Sequence, residues 1–293
     1  MKFHFPIVLV LILISILGGC IIPESNHVEP EYHLLVSLSS DGNETLYLPD
    51  VSFYVREVSI PPYLDDSRFA RRQNTSSLAY EENHRWGEPL GEGISRVVGL
   101  NLSSILGSLS YSSYPSRARN AATYEISLSV LQFERVERLK VRVVAVVEIF
   151  HRNSLQSQFK VDELIPIDGS RVENETRALS VALDEISKII SSEIFELPLS
   201  QCMLIKISEV EYSNTSLDQL VQELSSHFMS NTNSDQQIDN VIRLASGFDH
   251  STTSNISIAE QDLTLLDLIK QIQRKTGTTL KFSRTEIIFV PLP

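Results

Sequence analysis

Hydrophobic and polar positions along the chain fall into alternating stretches of period two and period 3.6. Two strand-like runs come first, Tyr32–Leu38 and Val51–Ile60, the second alternating Val51, Phe53 and Val55 against Ser52 and Arg56. Asp41-Gly42-Asn43 between them is turn chemistry. Pro61-Pro62 ends the second run, because proline cannot donate to a ladder. A helical stripe of Ile94, Val97, Val98, Asn101, Leu102 and Ile105 follows Glu88-Pro89, with Pro89 suited to the first helical position and Gly107 to the stop. Period two then returns at Tyr124, Ile126, Leu128 and Val130, opening a three-stranded meander. Its middle run, Val141–Ile149, is apolar on both faces and predicts a central strand covered on two sides. His151–Ser154 turns the chain into Leu155–Val161. Asp168-Gly169 breaks the sheet, and Ser170 with Glu173 predicts a capping box. A long helix through Ala178, Val181, Ala182, Ile186, Ile189, Ile190 and Ile194 then runs to Pro198.

Beyond Pro198 the pattern shortens. Strand-like Leu204–Val210 precedes a capping box at Ser216 and Gln219, and the helix behind it carries Leu217, Leu220, Val221, Leu224 and Phe228 on one face. A polar stretch, Ser230–Asn240, leads to a short strand around Val241–Leu244. The theme recurs with Ile256 and Ile258 as strand, Thr264 and Asp267 as cap, and Leu265, Leu268, Ile269 and Ile272 as helix. Gly277 closes that helix, and Thr279–Phe282 and Glu286–Val290 complete the pattern as strands. The expected fold is α/β in the α+β sense: a mixed sheet with two packing helices over 32–198, then a small βα-βαββ domain over 203–293.

The first residues concern compartment. Lys2 precedes an apolar run from Phe5 to Leu17, whose helix would rise about 20 Å against a hydrocarbon core of about 30 Å. That is the hydrophobic part of a signal peptide, 1–19. No later stretch is long or apolar enough to span a bilayer. The run ends in Leu17-Gly18-Gly19-Cys20, which resembles a bacterial lipobox, with Cys20 as the residue to be fatty-acylated, palmitate among its acyl groups. Several acyl chains make release from a membrane negligible, whereas one holds weakly. Ile21 in place of Asp favours the outer membrane by analogy with enteric lipoproteins, and residues 20–31, polar from Pro23 to Glu31, read as a tether.

Charge and chemistry then narrow the function. Over 293 residues, 25 Lys+Arg against 37 Asp+Glu give a net charge of −12, with no basic cluster to attract a phosphate backbone, so nucleic acid is excluded as a partner. Once Cys20 is acylated, Cys202 stands alone beside Met203 and Leu204, in the manner of a small buried hydrophobe. The sequence carries no nucleophile elbow, zinc-protease helix, phosphate loop or dinucleotide fingerprint. The histidines His27, His33, His84, His151, His227 and His250 stand singly, without metal-ligand spacing, and read as surface or turn residues. Asp65-Asp66 and Glu81-Glu82 read as solvated surface. The expectation is a protein with no catalytic residue, cofactor or metal.

One segment carries a more specific signal. Ile60-Pro61-Pro62-Tyr63-Leu64-Asp65, then Arg68-Phe69-Ala70-Arg71-Arg72, then Arg85-Trp86-Gly87-Glu88-Pro89-Leu90 running into an amphipathic helix, resembles the PqiC family of ABC-transport auxiliary lipoproteins over about 32–197. Pro62 stands where that family more often has Glu, and Gly87 where it has Ala. From the residues themselves, Trp86 packs beside the helix entry, Glu88 lies near the helix dipole's positive end, and Tyr63 and Leu64 plug the turn onto the sheet. A docking patch formed by Tyr63, Leu64, Asp65, Arg85, Trp86 and Glu88 is the alternative. The resemblance implies an accessory outer-membrane lipoprotein that binds an MCE-domain partner of an ABC-type lipid transporter, with assembly into a homo-oligomer compatible with that role. The region 203–293 is similar to the short N-terminal domains of secretins and TonB-dependent transducers. It therefore implies an alternative role, docking a secretin-like or TonB-like partner without lipid cargo.

Overall fold

Val51, Phe53 and Val55 are all buried, as the alternation predicts, yet the strand through them is short. The computed structural model describes residues 28–38, 48–116, 122–231, 242–245, 256–282 and 286–291. Strand β1 (Glu31–His33) and strand β2 (Phe53–Val55) are each three residues long, shorter than the runs that predicted them. Their flanks find partners outside a continuous ladder. The Val36 N–H donates to Ser180 Oγ at 3.1 Å, and Ser59 makes an isolated bridge to Ser129. The Asp41–Asn43 turn lies outside the described residues.

A 3-10 turn at Pro62–Leu64 leads into β3 (Arg68–Arg72) and β4 (Leu78–Trp86). Helix α1 (Leu90–Leu106) buries the predicted stripe, and Gly107 ends it in the left-handed conformation at φ 63°. Pro89 is its N-cap and not its first residue, because its ψ of 127° is extended. Then come β5 (Tyr111–Ser113) and the meander of β6 (Tyr124–Glu137), β7 (Lys140–His151) and β8 (Ser154–Pro166). Arg152 and Asn153 both take positive φ, 48° and 64°, as a two-residue hairpin loop requires.

Helix α2 (Val172–Glu196) has Arg171 as N-cap with no side-chain cap bond. The predicted Ser170–Glu173 box does not form, because the helix begins one residue late and leaves Glu173 short of the third position. Pro198 ends α2 and opens α3 (Pro198–Leu204), which the periodicity hid. Cys202 on α3 is fully buried, and burial raises its thiol pKa, as suits an inert apolar residue.

Eight strands form one mixed sheet in the order β1-β4-β3-β6-β2-β5, with β7 and β8 joined on through β6. Strand β6 is the spine. Along one edge it takes β2 in parallel through Tyr124–Ile126 and then β3 at Arg135, while β7 runs antiparallel along the other edge. Helices α1 and α2 pack together, and α2 lies across β7 and β8. On β7 the residues Val141, Val143, Ala145, Val147 and Ile149 are buried, whereas Arg142 is exposed and Val146 and Glu148 are half-exposed. The two-sided cover expected for this strand is therefore partial: on the second face Val144 is buried, but Val146 and Glu148 are only half-buried and Arg142 is exposed. The helices keep to one face, and on the other Arg142 pairs with Asp162 at 2.7 Å.

The remaining elements follow the predicted order: β9 (Lys206–Thr215), α4 (Leu217–Asn231), β10 (Ile242–Leu244), β11 (Ile256–Thr264), α5 (Leu265–Thr276), β12 (Thr278–Phe282) and β13 (Ile287–Pro291). Strands β9 and β11 pair antiparallel, and β10, β13 and β12 form a three-stranded sheet. This part is bonded to the main sheet through Gln156 Nε2, which donates to the Phe282 carbonyl at 3.2 Å. Both capping boxes predicted beyond Pro198 are made. Gln219 N–H donates to Ser216 Oγ and Ser216 N–H to Gln219 Oε1, at 3.4 and 3.3 Å. Asp267 N–H donates to Thr264 Oγ1 and Thr264 N–H to Asp267 Oδ2, at 3.1 and 3.2 Å. Thr264→Ala is expected to cost about 1 kcal/mol, with Thr264→Ser retaining most of the cap, read as a lowered urea midpoint by circular dichroism.

Candidate functional site

The two motif turns meet on one side of the sheet, because β3 and β4 pair antiparallel between them. The Trp86 N–H donates to the Ser67 carbonyl at 2.6 Å, and Arg85 Nη1 donates to Ser67 Oγ at 3.4 Å. The Trp86 ring is buried and stacks on Phe69, with centroids 4.0 Å apart and planes 21° apart, and tilts against Phe133. That contact fixes the entry to α1. Glu88 does more than sit near the dipole: it is paired to Arg96, whose Nη2 also donates to the Leu35 carbonyl at 2.9 Å. The pair thereby ties the chain after β1 to the helix.

Tyr63 and Leu64 face inward. Leu64 is buried, and the Tyr63 hydroxyl donates to Glu134 Oε2 at 2.7 Å while the Tyr80 hydroxyl donates to the Tyr63 carbonyl at 3.0 Å. Burial, with Glu134 as the hydrogen-bond acceptor, pushes the Tyr63 pKa up, so it stays a neutral donor. Glu134 has no exposed side-chain surface and also receives Arg72 Nε at 2.7 Å. On the opposite face Glu175 of α2, with 1 % of its side chain exposed, receives Arg71 at 2.7 Å and Arg135 at 3.5 Å. Two buried carboxylates are thus held by neighbouring arginines of one strand.

Of the adjacent acids read as solvated surface, Asp66, Glu81 and Glu82 are paired with arginines, although Glu82 keeps 72% of its side chain exposed. Arg68 holds Asp66 and Glu82 at 3.0 and 2.8 Å, and Arg71 holds Glu81. Hydrogen bonds from the Arg68 side chain and backbone keep the Asp66 carboxyl down to about 2. Asp65 alone of the acidic motif residues is exposed, and it helps line a groove of about 570 Å³ with Glu57, Ile60, Pro89, Glu92 and Tyr114. The groove is where the two motifs share a surface. Glu57, with a minor contribution from Glu92, raises the Tyr114 pKa. Three carboxylates around an open depression suit a cationic or hydrogen-bond-donating segment, and their charge disfavours an anionic headgroup.

Sequence reasoning did not reach Glu134, Glu175, Glu57 or Tyr114. The adjacent Arg71-Arg72 on a strand was the available signal, since neighbours on a strand point to opposite faces. The reading of every histidine as solitary is also corrected: His33 and His84 come within hydrogen-bond distance, Nε2 to Nδ1 at 3.0 Å, because β1 and β4 pair in parallel. His151 is buried and meets the Thr123 carbonyl at 2.7 Å. Cys20 lies outside the described residues.

The family described as ABC-type transport auxiliary lipoprotein component has a model that matches residues 33–191. No curated protein matches the sequence. Among solved structures, the chain is similar to an uncharacterized protein at 16% identity and TM-score 0.47, over 57% of this chain and 99% of that one. A Xanthomonas campestris protein is similar at 13% identity and TM-score 0.42, over 56% and 91%. A PelC dodecamer from Paraburkholderia phytofirmans is similar at 12% identity and TM-score 0.30, over 50% and 88%.

Glu134→Ala strips the Arg72 guanidinium and the Tyr63 hydroxyl of their shared acceptor, and is expected to cost on the order of 3 kcal/mol in urea unfolding. Asp66 contributes stability above its ordinary carboxylate range, and that contribution is lost as pH falls from about 4 towards 2. Asp66→Asn is accordingly expected to be less stable than the parent at pH 7 and to converge with it near pH 2, measured by thermal unfolding across that range.

Proposed function

We propose that this chain, which belongs to the family of ABC-type transport auxiliary lipoprotein components, is the non-enzymatic outer-membrane member of an MCE/ABC-type lipid transport system in a Gram-negative envelope. The observation that carries this reading is positional. The family match starts at residue 33, just beyond a lipobox-like Leu17-Gly18-Gly19-Cys20 and a polar stretch. In this reading 1–19 is the leader, Cys20 the acylated anchor facing the periplasm, 20–31 the tether and 32–198 the auxiliary domain. The region 203–293 is a docking domain like those of secretins and TonB-dependent transducers, and homo-oligomerisation serves to multiply the docking surfaces.

The MCE partner binds at the groove between the two motif turns. Asp65, Glu57 and Glu92 attract lysines or arginines of a partner segment. Tyr63, Leu64, Arg85, Trp86 and Glu88 hold that surface in shape and do not contact the partner. An anionic lipid headgroup gains nothing from these carboxylates, so the path of such a cargo lies elsewhere. No catalytic step is assigned, because the neighbouring acids Asp66, Glu81 and Glu82 are engaged by Arg68 and Arg71.

Affinity capture of the acylated chain from envelope extracts is expected to recover MCE-domain and permease subunits, and Asp65→Lys with Glu92→Lys to lose them while the fold persists. Recovery of secretin or TonB-like components instead would overturn the lipid-transport reading in favour of docking through 203–293. Cys20→Ser is expected to release the protein from the membrane fraction, and its retention there would remove the anchor.

A further inference from the structure

Two residues on β1 and one on β4 bring together three metal-binding side chains that the sequence keeps far apart. Glu31 and His33 are two apart on β1 and so share a face, and Glu31 is the register partner of His84. His33 Nε2 lies 3.0 Å from His84 Nδ1, and His84 Nδ1 lies 3.6 Å from Glu31 Oε2. One ligand atom from each residue fits within a 4.8 Å span. Two donors about 2.0–2.2 Å from a tetrahedral ion sit roughly 3.4 Å apart, so these separations are those of ligands around a common centre. We propose that Glu31, His33 and His84 form a divalent-metal site that takes Zn²⁺.

His84 Nδ1 is the shared contact: it lies within hydrogen-bond distance of His33 Nε2, with either ring able to donate, while Glu31 Oε2 at 3.6 Å stands beyond hydrogen-bond reach but within ion-pair range. A divalent cation meets all three lone pairs directly. Burial also grades outward as a metal site needs. His33 is buried with its ring edge-on to Phe69, centroids 5.4 Å apart, which fixes its orientation, while the side chain of Glu31 is 65% exposed and leaves an entry path. Two imidazoles and one carboxylate match zinc's preference for nitrogen and oxygen donors, with a fourth position for water. The ion would clip the three-residue β1, at the edge of the sheet, to β4 and so fasten the chain where it enters the folded body.

Isothermal titration of the untagged chain with Zn²⁺ alone is the test. Saturable binding at one ion per chain is expected, with at least tenfold weaker binding in Glu31→Gln and loss of the site in His84→Ala. Because Glu31 is exposed, Glu31→Gln keeps the fold, and matching circular dichroism verifies this. X-ray absorption of the loaded protein should show two imidazoles among nitrogen and oxygen neighbours. Absence of saturable binding, or binding unchanged in both variants, would overturn the proposal. Loss in His84→Ala with no change in Glu31→Gln would overturn the three-ligand set.

Discussion

Neighbouring arginines on one short strand hold the main sheet to what covers it. Arg71 and Arg72 of β3 project to opposite faces, and each neutralises a carboxylate removed from water, Glu175 of α2 on one side and Glu134 of β6 on the other. A buried carboxylate left alone would cost several kcal/mol, on the order of the net stability of many domains. The helix layer, the spine strand and the Pro62–Leu64 turn are therefore constrained through the same two residues of β3.

From that constraint the roles of the motif turns follow. Tyr63 is the second hydrogen-bond donor to Glu134, so its ring is held against that face of the sheet. Trp86 completes the same assembly from β4 by stacking on Phe69, which β3 presents between Arg68 and Arg71. With the aromatic and apolar members turned inward, the surface left between the turns is the acidic one, Asp65 with Glu57 and Glu92. The motif thus shapes an exposed groove mainly through residues that are themselves hidden.

Much of this architecture was legible before any coordinates. The α1 stripe from Ile94 to Ile105, the stop at Gly107, the meander and the Thr264–Asp267 cap depend on interactions within a few residues of sequence, and local periodicity reports those faithfully. The misses are equally physical. The Ser170–Glu173 box failed because a one-residue shift in helix start changes every cap position. Strands β3 and β4 carry too many charged residues to read as half-buried by alternation, although their arginines and glutamates are held in pairs.

The sequence by itself determined the order of the strongly periodic elements, which face of the long helices is apolar, and the turn chemistry that ends them, because these are set by neighbours along the chain. Tertiary structure alone decided that Arg72 meets Glu134, that Arg71 meets Glu175, that the carboxylates of 57, 65 and 92 border one groove, and that His33 lies against His84. Those meetings join residues tens of positions apart through strand pairing and register. Pairing is chosen by the packing of the whole sheet, which no local pattern encodes.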